Sequence, residues 1–418
     1  MDETYEVVMK GKWRWAAAIA VLGMMAVPST GWAAGFSTYV QSATSTGMAS
    51  TGTANPDEPN ATFFNPAMMP FQDTFVINAG PTFIIPNTTF ESADGSINNS
   101  TEEAIFPPPN GHVHYKITDD LAVGVGAELP WGLAVSWPDD WVGRETIQFQ
   151  QLRTLNVTPA VSYKIPGIDL SFAGGAQIVA SSIELDRRVI LREDTEVQTN
   201  LGGNGIGFGG LAAVVYRPTE DITIGANYRS SVKVDYEGRA HFEGEEGTPF
   251  AGQFVDGNVT TDLTLPNFVA LGFGWQINRL FLELDLNYTA WRSYDELVVD
   301  FEENRPSETE TITNDWNDAG AIRFGAEYEV IDRLPVRLGL AYDMTPIPDE
   351  TVSPSLPGND RAVASVGVGY TFDFGLRVDG AYQLVAALER TIDQGVVHDG
   401  DYQTTAHILG LNVGYSIE

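Results

Sequence analysis

The feature that most constrains this chain is a strict two-residue alternation that recurs from about residue 73 to the end. In Leu280–Tyr288 the side chains of Leu280, Leu282, Leu284, Leu286 and Tyr288 fall on one face, and Phe281, Glu283, Asp285 and Asn287 on the other. Ile222–Tyr236 splits the same way: Ile222, Ile224, Ala226, Tyr228, Val232, Val234 and Tyr236 oppose Thr223, Gly225, Asn227, Arg229, Lys233 and Asp235. Only a β-strand puts i, i+2 and i+4 on one side. A soluble sandwich also alternates, so the content of the faces decides. One face is uniformly apolar and edged with Tyr, Phe or Trp; the other carries Gly and charges of both signs, such as Arg323 with Glu327 and Arg377 with Asp379. Apolar outside and polar inside is the arrangement of a transmembrane barrel, and only a closed barrel satisfies every strand's backbone in lipid.

The strands with their turns number fourteen, at about 73–91, 104–117, 120–130, 144–165, 168–190, 199–217, 221–243, 259–277, 279–302, 310–330, 333–345, 359–373, 374–391 and 400–417. The predicted fold is thus all-β, a fourteen-stranded antiparallel transmembrane barrel over residues 73–418. Very short links, such as Thr118-Asp119 and Asn278, read as periplasmic turns; the longer acidic or Pro-rich links near 131–143, 244–258, 303–309 and 346–358 read as extracellular loops. Residues 1–33 read as a signal peptide: Lys10, Lys12 and Arg14 precede an apolar run from Trp15 to Val27, and Gly31-Trp32-Ala33 offers a cleavage site. That run is too short for a membrane-spanning helix, which needs about 20 residues. The predicted localisation is the bacterial outer membrane.

Composition narrows the function. The formal charge is −33, from 56 acidic and 23 basic residues, so nucleic acid, which needs a Lys/Arg footprint, is not an expected partner. The acidic loops are read either as a solvated surface or as divalent-cation bridges to lipopolysaccharide. No cysteine is present, which excludes disulfides and thiolate zinc sites. His112 and His114 share a strand face without an apparent third ligand, so no metal site is predicted. Gly205-Ile206-Gly207-Phe208-Gly209-Gly210 spells a dinucleotide fingerprint but opens no helix, and fits a packed barrel wall better. No nucleophile elbow appears, so neither an enzyme nor a cofactor is predicted.

Residues 34–72 do not alternate. Rich in Ser, Thr, Gly, Ala, Asn and Pro, they fit a disordered tail or a plug folded back into the lumen equally well. Here a resemblance becomes specific. Ala34-Gly35-Phe36, the small-residue run Gln41–Ala54 and Asn65-Pro66-Ala67-Met68-Met69 are similar to the N-terminal hatch of the FadL/TodX-type outer-membrane transporters of long-chain fatty acids and hydrocarbons. Tyr228–Asp235, Leu265-Pro266, Tyr288-Thr289-Ala290-Trp291, Asp343-Met344-Thr345-Pro346-Ile347-Pro348 and Pro357-Gly358-Asn359-Asp360-Arg361 extend the match in order across nearly the whole mature chain. The resemblance implies a monomeric barrel plugged by a hatch over 34–72, with Asn65, Pro66 and Ala67 at its moving part. It also implies passive import of a hydrophobic substrate, released sideways at an interruption of the third strand, where Leu129-Pro130 stands. Such transporters often carry long third and fourth extracellular loops that form a first binding groove; the shorter link here argues against a groove of that shape.

Leu129, Trp131, Leu133, Trp137 and Trp141 form an aromatic, apolar cluster, read either as a first substrate contact or as an interfacial girdle. For a fatty-acid carboxylate the candidate partners are Arg153, Arg229, Lys233, Arg323 and Arg361, on strand faces predicted to point inward; lumenal ion pairs to Asp or Glu are the competing use. The rival cargoes are aromatic or alkane hydrocarbons, which would favour a pocket without any buried Arg or Lys. A polar-solute porin with an open lumen and an adhesive barrel with a sealed one are the readings of another class.

Overall fold

The computed structural model describes residues 35–192, 195–244, 254–302 and 309–417; the predicted signal peptide lies outside them. Fourteen antiparallel strands run in sequence order. The first seven are β1 (Phe75–Ser92), β2 (Asn98–Ser100 and Pro109–Lys116), β3 (Leu121–Glu128 and Gly132–Ser136), β4 (Phe149–Lys164), β5 (Leu170–Arg192), β6 (Thr195–Thr219) and β7 (Ile222–Arg229 and Val232–Glu243). Then come β8 (Gly257–Leu265 and Phe268–Ile277), β9 (Leu280–Thr289 and Glu296–Phe301), β10 (Thr309–Thr313 and Ala319–Ile331), β11 (Leu334–Asp343), β12 (Arg361–Thr371), β13 (Leu376–Ala387 and Arg390–Ile392) and β14 (Gly400–Ile417). The sheet closes on itself, because β14 pairs with β1 from Phe75↔Ile417 to Ser92↔Gly400. Closure leaves no edge strand, which is what an apolar surround requires. The short links are tight turns; Asn278, between β8 and β9, takes a left-handed φ of 53°, which an Asn tolerates.

Around the lower half the alternation behaves as predicted. Leu284, Leu286 and Tyr288 of β9 are exposed outward, as are Leu338 and Leu340 of β11 and Leu409, Leu411 and Val413 of β14. Their inward neighbours Glu283, Asp285, Arg337 and Asn412 are buried. Tyrosines mark the upper edge of this apolar belt, each bonded to a polar group above it: Tyr228 to Asn267 (2.9 Å), Tyr288 to Asp318 (2.7 Å), Tyr342 to Asp360 (2.6 Å). That is how an amphipathic ring settles at a lipid–water boundary.

Above the tyrosines the faces reverse in two neighbouring strands, β7 and β8. In β7 the break at Ser230-Ser231 turns Val232, Val234 and Tyr236 inward and buries them, although the sequence alternates straight through. Pro266-Asn267 does the same in β8, burying Leu263 and Leu265. The two breaks lie side by side, and the Asn267 carboxamide oxygen accepts both the Tyr228 hydroxyl (2.9 Å) and the Ser231 N–H (3.0 Å). A shift of one residue moves a whole side-chain set to the other face. Outside the belt the strand meets water, so the apolar set goes in and the extracellular half acquires an apolar interior.

Residues 35–72 lie inside the barrel. They form two single-turn helices, α1 (Ala43–Thr46) and α2 (Ala61–Phe64), and a 3₁₀ segment, Pro66–Phe71. Ser42 caps α1 by accepting the Ser45 N–H (3.0 Å), as an N-cap Ser does.

Candidate functional site

The N-terminal segment is held by the polar inner face of the lower barrel. Asp285 of β9 accepts the Gly52 N–H (3.2 Å), the Thr53 N–H (3.2 Å) and the Thr53 hydroxyl (2.8 Å), and Glu283 accepts the Ala54 N–H (2.6 Å). Ser365 of β12 accepts from Ala49 (2.7 Å), and Asn412 of β14 from Ala43 (2.7 Å). From β7, Asn227 donates to the Phe63 (3.1 Å) and Phe64 (2.9 Å) carbonyls. The segment has little regular structure of its own, so the wall supplies partners for its buried backbone groups.

Asn65, Pro66 and Ala67 each have a local reason. The Asn65 oxygen caps the 3₁₀ segment by accepting the Ala67 N–H (3.1 Å), while its nitrogen donates to Thr53 (2.9 Å) and to Val214 of β6 (3.2 Å). Pro66 opens the segment, where its missing N–H costs nothing. Ala67 is fully buried among Ala61, Met68, Met69 and the wall residues Ala122, Ala160 and Ala213.

Above this segment lies an aromatic chamber. Trp137 and Trp141 are buried and stacked at 4.2 Å, with Phe90 of β1 against Trp141 (5.0 Å) and Tyr402 of β14 against Phe90 (5.0 Å). The Trp137 indole donates to the Pro354 carbonyl (3.1 Å), which ties the 346–358 loop over the chamber. Burial excludes the girdle reading for these tryptophans. A second box, which sequence reasoning missed, surrounds Phe36: Trp291 at 4.5 Å, Tyr294 at 5.4 Å and Trp316 at 5.7 Å. Trp291, Tyr294 and Trp316 sit where β9 and β10 are interrupted, outside any alternating run, so periodicity gave no signal for them. Leu129, Trp131 and Leu133 are buried, and Trp131 and Leu133 belong to one apolar cluster with Phe36, Trp137, Trp141, Trp291 and Trp316.

The third strand is broken at Leu129-Pro130-Trp131. Its ladder to β2 stops at Gly111↔Ala127, and the freed backbone turns to the N-terminal segment instead. Pro130 accepts the Thr38 N–H (2.7 Å), Gly132 donates to Phe36 (2.9 Å), and Gln41 bonds both the Leu129 carbonyl (2.9 Å) and its N–H (3.2 Å). An open cleft of about 320 Å³, lined by Ala104, Phe106, Ala134, Val135, Arg153 and Glu184, lies along the part of β3 just past this break.

The five candidate cations separate. Arg229 is buried and donates to the Thr62 (2.8 Å) and Phe63 (2.9 Å) carbonyls, with its guanidinium 4.9 Å from the Phe63 ring. Arg323 pairs with Asp343 (2.8 Å) and donates to Ala49 (3.1 Å). These two hold the N-terminal segment. Lys233 corrects the expectation of an inward side chain: the reversal at Ser230-Ser231 turns it outward, exposed, between Asp235 and Asp262 (3.4 Å each). Arg153 is a second correction. It stands opposite Ser182 in the β4–β5 ladder, while the next residue, Ser181, bonds the buried Tyr236 inside (2.7 Å), so Arg153 faces outward. Arg361 remains inside, buried opposite Asp343, and its Nε has no hydrogen-bond partner. Lower down, His112 and His114 are 3.0 Å apart and bond Thr62 (2.7 Å) and the Asp73 carbonyl (3.2 Å); among the described residues no group of three or more His, Cys, Asp or Glu is arranged for a metal. Gly205, Gly207 and Gly209 lie in β6 beneath Val232 and Val234; a Cβ on Gly207 would meet Val232 at 2.5 Å, so these glycines admit the reversed β7.

The family model described as outer membrane protein transport protein (OMPP1/FadL/TodX) matches residues 24–417. The chain belongs to this family. It is similar to a long-chain fatty acid transport protein of Salmonella typhi, 26% identical with 96% of this chain and 97% of that protein covered. A 47 kDa outer membrane protein of Pasteurella multocida is 27% identical over 84% of this chain and 86% of its own. Among solved structures, a FadL homologue of Pseudomonas aeruginosa superimposes with a TM-score of 0.81 at 22% identity, covering 92% of this chain and 100% of the other. The toluene transporter TodX of P. putida superimposes with 0.71 at 16% identity, covering 93% and 99%. This FadL/TodX-family barrel is therefore an outer-membrane transport protein, of a family that carries hydrophobic compounds, and not an enzyme.

Proposed function

We propose that this barrel imports long-chain fatty acids passively, with residues 34–72 as a hatch and with release through the wall beside β3. The observation that carries the substrate class is Arg361, a buried cation with no ion pair or hydrogen bond of its side chain among the described residues, standing beside the Arg323–Asp343 pair where the polar lower lumen meets the apolar and aromatic upper one. A carboxylate there gains a charge-assisted hydrogen bond in low dielectric, which an alkane or an arene cannot offer. Phe36 occupies the Trp291–Trp316 box and its backbone is bonded to the broken β3. A hydrophobic chain entering that box displaces Phe36, and withdrawal of Phe36 frees Pro130 and Gly132 beside the wall. No energy-coupling element is needed, because substrate moves down its own gradient.

The test has two parts. The full chain in a planar bilayer conducts little, and deletion of 34–72 raises conductance sharply; high conductance in both would mean an open polar-solute pore. Arg361→Leu lowers fatty-acid uptake but spares uptake of a same-length alkane; equal loss of both would favour a hydrocarbon carrier.

A further inference from the structure

Arg153 belongs to no ion pair among the described residues, and its Nε is buried without a hydrogen-bond partner. Its neighbours across the ladders are Gly132 of β3, just past the strand break, and Ser182 of β5. Arg153 therefore touches two places at once. On one side it lines the cleft beside the β3 break. On the other it lines an open groove on the outer wall, with Leu155, Ala180, Asn204 and Ile206.

Its height on the wall is set by the outward residues below it. On β4 these run Tyr163, Val161, Pro159, Val157 and Leu155 before Arg153 and Gln151 follow. On β5 the change from apolar to polar comes between Ala180 and Ser182, and on β6 between Ile206 and Asn204. Arg153, Ser182 and Asn204 thus lie on the upper rim of the lipid-facing belt, where an amphiphile's head group sits. Ile206 and Phe208, just below, are 62% and 70% exposed, an apolar surface ready for an acyl chain. Glu184, opposite Gln151, is exposed, lines both the cleft and the groove with Arg153, and is unpaired among the described residues, so a bound carboxylate shares Arg153 with one competing negative charge.

We infer that Arg153 is an exit-side anchor on the outer wall. It takes the carboxylate of a single-chain acid leaving through the β3 cleft, while the tail settles on Leu155, Ala180 and Ile206 in the outer leaflet. This inference rests on the import reading above and adds a second cation, outside the lumen, to the path of an acidic substrate. One arginine matches one carboxylate, and the groove is continuous with the cleft through the arginine itself.

The experiment uses the full chain, in cells lacking other importers and as purified protein in phospholipid vesicles. Uptake of an 18-carbon fatty acid is compared with that of the same-length alkane. Arg153→Glu is expected to lower the acid-to-alkane ratio by roughly three- to ten-fold, and Arg153→Lys to keep most of it. Gly202→Leu narrows the groove from its open side, where a Cβ meets only the Ile183 carbonyl at 3.9 Å, and is expected to act in the same direction. In vesicles, a fatty acid bearing a photoreactive tail is expected to label Ala180 and Ile206, and Arg153→Glu to abolish the label. An unchanged ratio in folded Arg153→Glu, or no label on that groove, overturns the exit site even where import stands. Absence of fatty-acid uptake by the unmodified protein would instead refute the import reading, while the vesicle label still decides the groove.

Discussion

Arg229→Met tests whether the cations of the lower barrel hold the proposed hatch, the N-terminal segment 35–72, or serve the substrate. Arg229 donates to the Thr62 and Phe63 carbonyls at 2.8 and 2.9 Å and lies 4.9 Å from the Phe63 ring. Each charge-assisted bond contributes about 1.5–3 kcal/mol and the ring contact about 1 kcal/mol. Methionine also removes the desolvation of a buried guanidinium, which offsets part of that sum. A net loss of about 2–3 kcal/mol of hatch docking remains, or roughly a 30- to 150-fold rise in the undocked fraction at about 1.4 kcal/mol per decade. In single-channel recordings Arg229→Met should open more often by that factor, to the same amplitude as the chain lacking 34–72. Fatty-acid uptake should not fall. An opening frequency equal to that of the unmodified protein, in a bilayer where the deletion opens, would refute the anchoring role.

Three further outcomes follow from the same geometry. Burial pushes Glu58 in the hatch up to about 7 from 4.5, so the docked hatch keeps a proton that the released one loses between those values; docking is strongest at low pH and weakens as pH rises to about 7, by up to about 3 kcal/mol. Opening frequency should therefore climb between about pH 5 and 8, and Glu58→Gln should flatten that climb; an unaltered pH profile in the variant removes Glu58 from hatch docking. Asp379→Ala leaves Arg337 (2.7 Å from Asp379) and Arg377 (2.7 Å) short of a buried partner and should lower unfolding stability in detergent by about 3–5 kcal/mol, read from urea titrations. Trp131→Ala with Trp137→Ala should cut uptake at least about three-fold while the barrel keeps its heat-modifiable gel mobility; unchanged uptake in a folded double variant would take the chamber out of the route.

The barrel was legible because lipid imposes one simple rule on every lower strand. Leu280–Tyr288 announces its two faces without help from any neighbour, and the same is true of Val336–Asp343 and Leu376–Leu384. The site was legible only in part. The Trp137–Trp141 pair stands out as composition, and Leu129-Pro130 as a ladder breaker. Phe36, Trp291, Tyr294 and Trp316 come from three separate stretches of chain, and none marks itself locally. Their box exists because the interruptions of β9 and β10 face the start of the N-terminal segment.

The sequence by itself determined the strands, their number and the polar-in, apolar-out order of the lower wall, since each follows from neighbours two residues apart. Only the tertiary structure decided where that order reverses. Ile222–Tyr236 alternates without a fault, yet Tyr228 faces lipid and Val232 the lumen, because Ser230-Ser231 adds a break whose polar backbone is satisfied by Asn267 on the adjacent strand. The same reversal put Lys233 outside. Arg153 and Arg361 lie on strands without such a break: along continuous β4 Arg153 shares the face of the exposed Tyr163 and Val161, and along continuous β12 Arg361 shares the face of buried Val363 and Ser365, so each side chain keeps the face that alternation over the whole strand gives it.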